Sequence, residues 1–284
     1  MNYENLLSEI ELLKKKYNVK VIGKTKFNRK IFAVERIINK SFSTAIFVGG
    51  VHARENITCD LLVKMLNENL FDEIDNFNLS FVVMANPDGV DLQSGNITIF
   101  PAKWQKKLID MNNGSSDFSM WKANALGVDI NNNFDAKFGT NTHSDKPCMS
   151  GFCGNKAESE LETKALVQYT LKTKPFFTIS YHSKGEEIYY DFYQDKRRKG
   201  RDKKIAEKFA KSTGYTIKST QEVSSGGYKD WCVQKLKIPA ITIEVGDDDW
   251  QHPISKNHLQ EIYEKNKMIA KDLKFAYNEY VKEK

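Results

Sequence analysis

Phe47-Val48-Gly49-Gly50-Val51-His52-Ala53-Arg54-Glu55-Asn56 decides how this chain is read. An apolar run over residues 44–49 ends in two glycines. A histidine and a glutamate follow, three residues apart, with an arginine between them, and helical spacing begins at Ile57. The pattern predicts a buried strand, a tight turn and a helix, with His52 and Glu55 projecting together from the turn. An imidazole nitrogen and a carboxylate oxygen at that spacing can share one metal ion, and zinc accepts both ligand types. A catalytic zinc takes three protein ligands and keeps one position open. A third ligand and a general base should therefore stand elsewhere in the chain.

Open α/β sheets carry their sites outside the strand ends, so both are sought there. Phe176-Phe177-Thr178-Ile179-Ser180-Tyr181-His182-Ser183 is an apolar strand that ends on His182. Of the five histidines, only His52 and His182 terminate apolar strands; His143, His252 and His258 lie in polar stretches and read as surface or capping residues. In Ile241-Thr242-Ile243-Glu244-Val245-Gly246 a glutamate interrupts an apolar strand. A carboxylate buried there needs a partner. Water on a metal ion would serve, which makes Glu244 the candidate base.

The remaining pattern alternates strands and helices. Helical spacing is read at residues 3–16, 57–70, 158–172, 200–212 and 256–281. Strands are read at 19–22, 30–36, 44–49, 79–85, 176–181, 187–191 and 239–245, with a hairpin at 23–29 and turns at Asn86-Pro87-Asp88-Gly89 and Gly226-Gly227. Residues 92–156 are rich in Asn, Gly, Ser and Lys and lack clear periodicity; a stretch of that length is usually functional. The expectation is a single α/β domain over residues 1–284, a mixed twisted sheet with helices on both faces.

The order of these residues resembles the zinc metallocarboxypeptidase family of funnelin type. The resemblance runs along nearly the whole chain: Gly23-Lys24-Thr25 with Arg29, Asn86-Pro87-Asp88-Gly89, Gly127-Val128-Asp129-Ile130-Asn131-Asn132-Asn133-Phe134, and Ser225-Gly226-Gly227 with Asp230-Trp231. Trp121-Lys122-Ala123-Asn124, the run from Ile179 through Lys184-Gly185-Glu186-Glu187-Ile188-Tyr189, and Gly226-Gly227-Tyr228-Lys229-Asp230-Trp231 narrow it. They look like the bacterial branch that cleaves γ-D-glutamyl bonds to diamino acids in peptidoglycan stem peptides. The resemblance implies one Zn²⁺ held by His52, Glu55 and His182. Glu244 would take the proton of the attacking water and pass it to the leaving amine. It also implies that Asp129 fixes the tautomer of His52 and that Arg54 polarises the scissile carbonyl or grips a substrate carboxylate. A conventional carboxypeptidase and a zinc deacylase of N-acyl amino acids share this ligand set.

Two departures bear on the substrate. Where the digestive carboxypeptidases hold the substrate's terminal carboxylate with an arginine, this chain has Asn132, next to Asn131. Where they have a tyrosine three residues before Ser-Gly-Gly, it has Glu222, which leaves Tyr228 as the nearest substitute. Lys229 stands where the family reads the entering side chain, so Lys229, with Arg54 or Lys122, is expected to bind the carboxylates of meso-diaminopimelate.

Composition bounds the rest. The 284 residues are 40% hydrophobic and 28% charged, an ordinary globular balance. No apolar run approaches the roughly 20 residues needed to span a bilayer, and the N-terminus lacks a basic region followed by an apolar one, so a cytoplasmic protein with no membrane insertion is expected. In that compartment the four cysteines would be free thiols. The net charge of +6 is spread out. Its densest patch, Lys196-Arg197-Arg198-Lys199 with Arg201, Lys203 and Lys204, reads as a solvated loop entering a helix, so a small peptide rather than nucleic acid is the expected partner.

Overall fold

The computed structural model describes residues 1–140, 142–219 and 224–282. In chain order the main elements are α1 (Tyr3–Leu13), β1 (Asn18–Lys24), β2 (Lys30–Arg36), β3 (Thr44–Val48), α2 (Ile57–Asn67), β4 (Asn78–Val82), α3 (Pro87–Gln93), α4 (Ala102–Met111) and α5 (Leu161–Thr173). They continue with β5 (Phe177–His182), β6 (Glu187–Tyr189), α6 (Lys196–Thr213), β7 (Thr216–Lys218), α7 (Tyr228–Trp231), β8 (Ala240–Glu244), α8 (Leu259–Asn266) and α9 (Ile269–Val281). The strands form one sheet in the order β1-β2-β4-β3-β5-β8-β6-β7. Strands β4, β3, β5 and β8 run parallel, and antiparallel pairs flank them on both sides. The sheet is thus mixed, as expected.

Strand β3 is buried along its whole length, as a parallel strand covered on both faces must be. Its residues alternate between two cores. Ala45 and Phe47 join the helices α1, α2, α6, α8 and α9 on one face, while Ile46 and Val48 join α5 and α7 on the other. A third cluster, built on Leu92, Leu108, Phe118 and Trp121, packs the long segment after β4.

The parallel strands end on one side of the sheet. His52 follows β3, and His182 and Glu244 are the last residues of β5 and β8, directly paired in the β5–β8 register. Gly50 makes the turn into His52. Its φ is +58°, and a Cβ there would stand 2.5 Å from Cys59 Sγ and 3.2 Å from the Met84 backbone. Only glycine meets both demands without strain.

Several elements differ from the sequence expectation. Asn86-Pro87-Asp88-Gly89 begins α3: Asn86 caps it by accepting from the Gly89 N–H at 3.1 Å, and Pro87 occupies the first turn, where its missing N–H costs nothing. Helix α4 lies inside the stretch read as irregular, where only Leu108 of its residues is buried, so its apolar period is faint. The three-residue strand β7 was too short to register as a period. The single C-terminal helix expected over 256–281 is two helices, α8 and α9. The basic patch is not a loop but the first turns of α6, capped by Asp195; Arg198 pairs with Asp195, Lys199 with Asp191 and Arg201 with Asp202. The cysteines are free. No helix among the described residues is long and apolar enough to cross a membrane.

A buried carboxyl holds the segment over the site. The Asn124 amide donates to Glu160 at 2.8 Å and to Glu162 at 3.3 Å. Burial, with Asp88 and Glu160 nearby, pushes Glu162 up to about 8. Between its ordinary value and about 8 the folded protein holds a proton that the unfolded chain has lost, so stability falls as pH rises through that window. Glu162→Gln should remove this slope: relative to the wild type, the variant should gain a few kcal/mol between about pH 5 and pH 8 in chemical denaturation. Parallel pH profiles would contradict it. Gly50→Ala should lower stability by about 1–3 kcal/mol in the same measurement, through left-handed strain and overpacking; an unchanged midpoint would show that the turn relaxes freely.

Candidate active site

Three ligand atoms converge at the strand ends. His52 Nδ1 lies 2.9 Å from Glu55 Oε1, His182 Nδ1 lies 2.9 Å from Glu55 Oε2, and the two Nδ1 atoms are 3.1 Å apart. All three residues are buried. Four-coordinate zinc, with ligand bonds near 2.1 Å, separates its ligand atoms by roughly 3.4 Å. The spacing therefore fits one such ion. The donor chemistry fits too: two imidazole nitrogens facing each other across 3.1 Å beside a carboxylate are three electron-pair donors aimed at one point. Burial alone would lower the His52 pKa, but the Glu55 and Asp129 charges outweigh it and the net direction is up. Burial likewise opposes ionisation of Glu55, yet the two histidines hold its pKa well below the ordinary value.

The far ring nitrogens fix which atom faces the centre. His52 Nε2 lies 3.1 Å from Asp129 Oδ1, and His182 Nε2 lies 3.1 Å from Ser180 Oγ. A proton on Nε2 of His52 directed to Asp129 leaves Nδ1 as the donor lone pair. Asp129 is fully buried and opens a short turn through Asn132, with Asn131 N–H donating to its Oδ1. Burial would raise its pKa, but Lys122 and His52 hold it far below the carboxylate range. Lys122 Nζ lies 3.1 Å from Asp129 Oδ2. The Lys122 carbonyl accepts from the Ala53 N–H at 3.0 Å, which clamps the 121–125 segment onto the His52 turn.

Glu244 faces this centre. Burial pushes its carboxyl up to about 8, with Glu55 and Glu187 adding and His182 and Lys122 opposing. A cation beside it would draw that value back toward neutrality, the range a general base needs. A cavity of about 190 Å³ opens beside Glu244, lined by Asn131, Tyr189, Gly227, Lys229, Asp230 and Thr242 among others. Lys229 is buried there, its Nζ 2.5 Å from Asp230 Oδ1 and 2.7 Å from the Asp191 carbonyl. It is therefore not a solvent-facing lysine.

The other residues singled out in the sequence divide. Arg54 sits within the His52–Glu55 turn, and its Nε is buried without a hydrogen-bond partner. Asn132 is half-buried on the turn after Asp129, and Asn131 Oδ1 accepts from the Tyr228 N–H. Tyr228 does not face the cleft. Its ring is fully buried against Phe134 and Trp231, and its hydroxyl bonds Thr170 at 2.9 Å on the α5 side of the sheet. Tyr228 is a core residue, and only its backbone touches the site region. Glu222 lies outside the described residues.

His252 is neither a surface nor a capping histidine: it is half-buried, and its Nδ1 is buried without a partner. Burial lowers its pKa to about 4, with the charges of Glu55, Arg54, Lys184 and His52 acting on it. Its sequence signal was its place eight residues after Glu244, in a polar stretch with no strand to mark it.

Asp129→Asn tests the His52 geometry: zinc affinity, measured by chelator competition, should fall about 10–100-fold with the fold retained. Unchanged affinity would remove Asp129 from any part in orienting His52.

The profile of the zinc carboxypeptidase family matches residues 3–269. The chain is 29% identical over 239 residues to gamma-D-glutamyl-L-diamino acid endopeptidase 1 of Lysinibacillus sphaericus, covering 78% of this chain and 59% of that protein. It is 26% identical over 249 residues to bovine carboxypeptidase A1, covering 80% and 56%. The chain thus spans under two thirds of the length of these two relatives. Among solved structures, bovine thrombin-activatable fibrinolysis inhibitor in complex with tick carboxypeptidase inhibitor superposes with a TM-score of 0.80 at 18% identity, covering 98% of this chain and 97% of that one, which establishes the shared fold. By its matched sequence and its arrangement of strands, this chain belongs to the zinc carboxypeptidase family.

Proposed function

We propose that this protein is a zinc peptidase that hydrolyses the amide bond between γ-D-glutamate and meso-diaminopimelate in peptidoglycan stem peptides. The observation that carries the substrate is Lys229, a cation buried in the cavity beside Glu244. Lys229, held against Asp230, offers an ammonium to a carboxylate at the end of the entering side chain, and meso-diaminopimelate carries one there. The 29% identity to a gamma-D-glutamyl-L-diamino acid endopeptidase supports the same reading. So does Asn132, because an amide in place of the arginine of the digestive enzymes weakens the hold on an ordinary terminal carboxylate.

His52, Glu55 and His182 hold the ion. When bound, zinc supplies a Lewis acid and a water acidified toward neutrality. Glu244 takes the proton of the attacking water and delivers it to the amine of diaminopimelate as the amide bond breaks. Asp129 keeps His52 in the tautomer that presents Nδ1. Lys122 and Arg54 are the cations next to the ligand group. Lys122, fixed on Asp129, is assigned to the developing charge of the carbonyl oxygen, and the guanidinium of Arg54, in the His52–Glu55 turn, to a substrate carboxylate.

Glu244→Gln should keep one zinc per chain by elemental analysis and lower kcat on a γ-D-glutamyl-diaminopimelate substrate by about 10²–10⁴-fold. Full activity in that variant would end the assignment of the base. Parallel assays on an N-acyl amino acid and on a peptide with an ordinary C-terminal residue separate the alternatives. The γ-D-glutamyl substrate should lead both; dominant turnover of either of the others would replace this reading with a deacylase or a conventional carboxypeptidase.

A further inference from the structure

The lining of the cavity beside Glu244 holds two opposite charges rather than one. Lys229 and Asp230 are both buried, with Nζ and Oδ1 2.5 Å apart. Ser224 Oγ donates to Asp230 Oδ2 at 2.5 Å. A β-carbon at position 227 would stand 3.0 Å from that same Oδ2, so the absence of a side chain at Gly227 leaves the carboxylate reachable from the cavity. Tyr189 and Thr242, paired across β6 and β8, line the same cavity with Glu244.

A buried pair is neutral as a unit and stays favourable only while each charge keeps a partner. A side chain tipped with a lone ammonium would reach Asp230 but press against Lys229. One tipped with a lone carboxylate would reach Lys229 but press against Asp230. A tip carrying both charges on one carbon satisfies both: its carboxylate takes Lys229, its ammonium takes Asp230, and four alternating charges replace two with no net charge added to the interior. We infer that this cavity is a receptor for a zwitterionic side-chain tip, with Lys229 binding the carboxylate and Asp230 the ammonium of a free amino-acid centre.

This rests on the proposed γ-D-glutamyl peptidase reading and sharpens its substrate. In meso-diaminopimelate the L-centre supplies the scissile amide nitrogen, and the D-centre at the far end of the side chain carries the free ammonium and carboxylate. Lysine keeps only the ammonium at that carbon. 2-Aminopimelate keeps only the carboxylate. Lys229 alone would rank 2-aminopimelate with diaminopimelate; the pair ranks it below.

The test is a series of three γ-D-glutamyl substrates that differ only in the third residue: meso-diaminopimelate, L-lysine and L-2-aminopimelate. With the wild-type zinc enzyme, kcat/KM for diaminopimelate should exceed that for each of the others by about tenfold or more, because the site's buried charges are left unpaired by either analogue. Lys229→Met should erase the preference over lysine, and Asp230→Asn should erase the preference over 2-aminopimelate, each to within about threefold. Equal wild-type kcat/KM on all three overturns the zwitterion receptor while leaving the γ-D-glutamyl peptidase standing. Equal turnover of diaminopimelate and 2-aminopimelate, with lysine poor, removes Asp230 from the receptor and overturns it as well. Cleavage of none of the three, together with turnover of ordinary C-terminal peptide bonds, removes the reading on which it rests. The wild-type series decides even where a buried-charge variant fails to fold.

Discussion

Three electron-pair donors held about 3 Å apart in a buried site are the constraint that orders this structure. Two imidazole nitrogens and a carboxylate do not gather there at low energy unless a cation is to be shared. Everything around them enforces that convergence. The parallel register of β3, β5 and β8 brings three strand ends to one side of the sheet. Gly50 turns the chain in a space that admits no side chain. Asp129 and Ser180 take the outer ring nitrogens, so that both histidines turn Nδ1 inward.

Positive charge then organises the surroundings. Lys122 neutralises Asp129 at the back of the centre, and its own backbone is bonded to the His52 turn, so the cation is positioned by the element it serves. Arg54, in the His52–Glu55 turn, leaves a buried N–H without a hydrogen-bond partner. Lys229 lies in the adjoining cavity with Asp230 as its counter-charge. In the proposed reading these cations would serve distinct parts of the substrate: the reacting carbonyl, a backbone carboxylate and the tip of a side chain. The family's chemistry and the substrate are thus read from different layers, the first from the ligands and the second from the charges around them.

The fold and the ligand group were legible in the sequence because both are written in strand ends. An apolar run that stops on a histidine or is interrupted by a glutamate violates the pattern that burial demands, so His52, His182 and Glu244 stood out from residues such as His143. What was hidden had no such contrast. Helix α4 turns mostly polar residues to solvent and shows almost no apolar period. His252 is half-buried on a loop, where no period marks direction. Tyr228 and Lys229 are neighbours in a motif, yet they point to opposite sides: the aromatic ring into the core under α5, the lysine into the cavity. A four-residue helix is too short for spacing to tell its faces apart. Nor does spacing tell that Lys229 pairs with its own neighbour Asp230, 2.5 Å away.

Digestion of purified diaminopimelate-containing muropeptides with the zinc-loaded protein in ¹⁸O-water, followed by mass spectrometry, shows at once which bond is broken and by what. Cleavage should fall on the N-terminal side of diaminopimelate, with one ¹⁸O in the γ-carboxylate released on D-glutamate. Label appearing instead at a carboxylate freed by loss of a C-terminal residue, with the γ-D-glutamyl bond intact, would contradict this assignment.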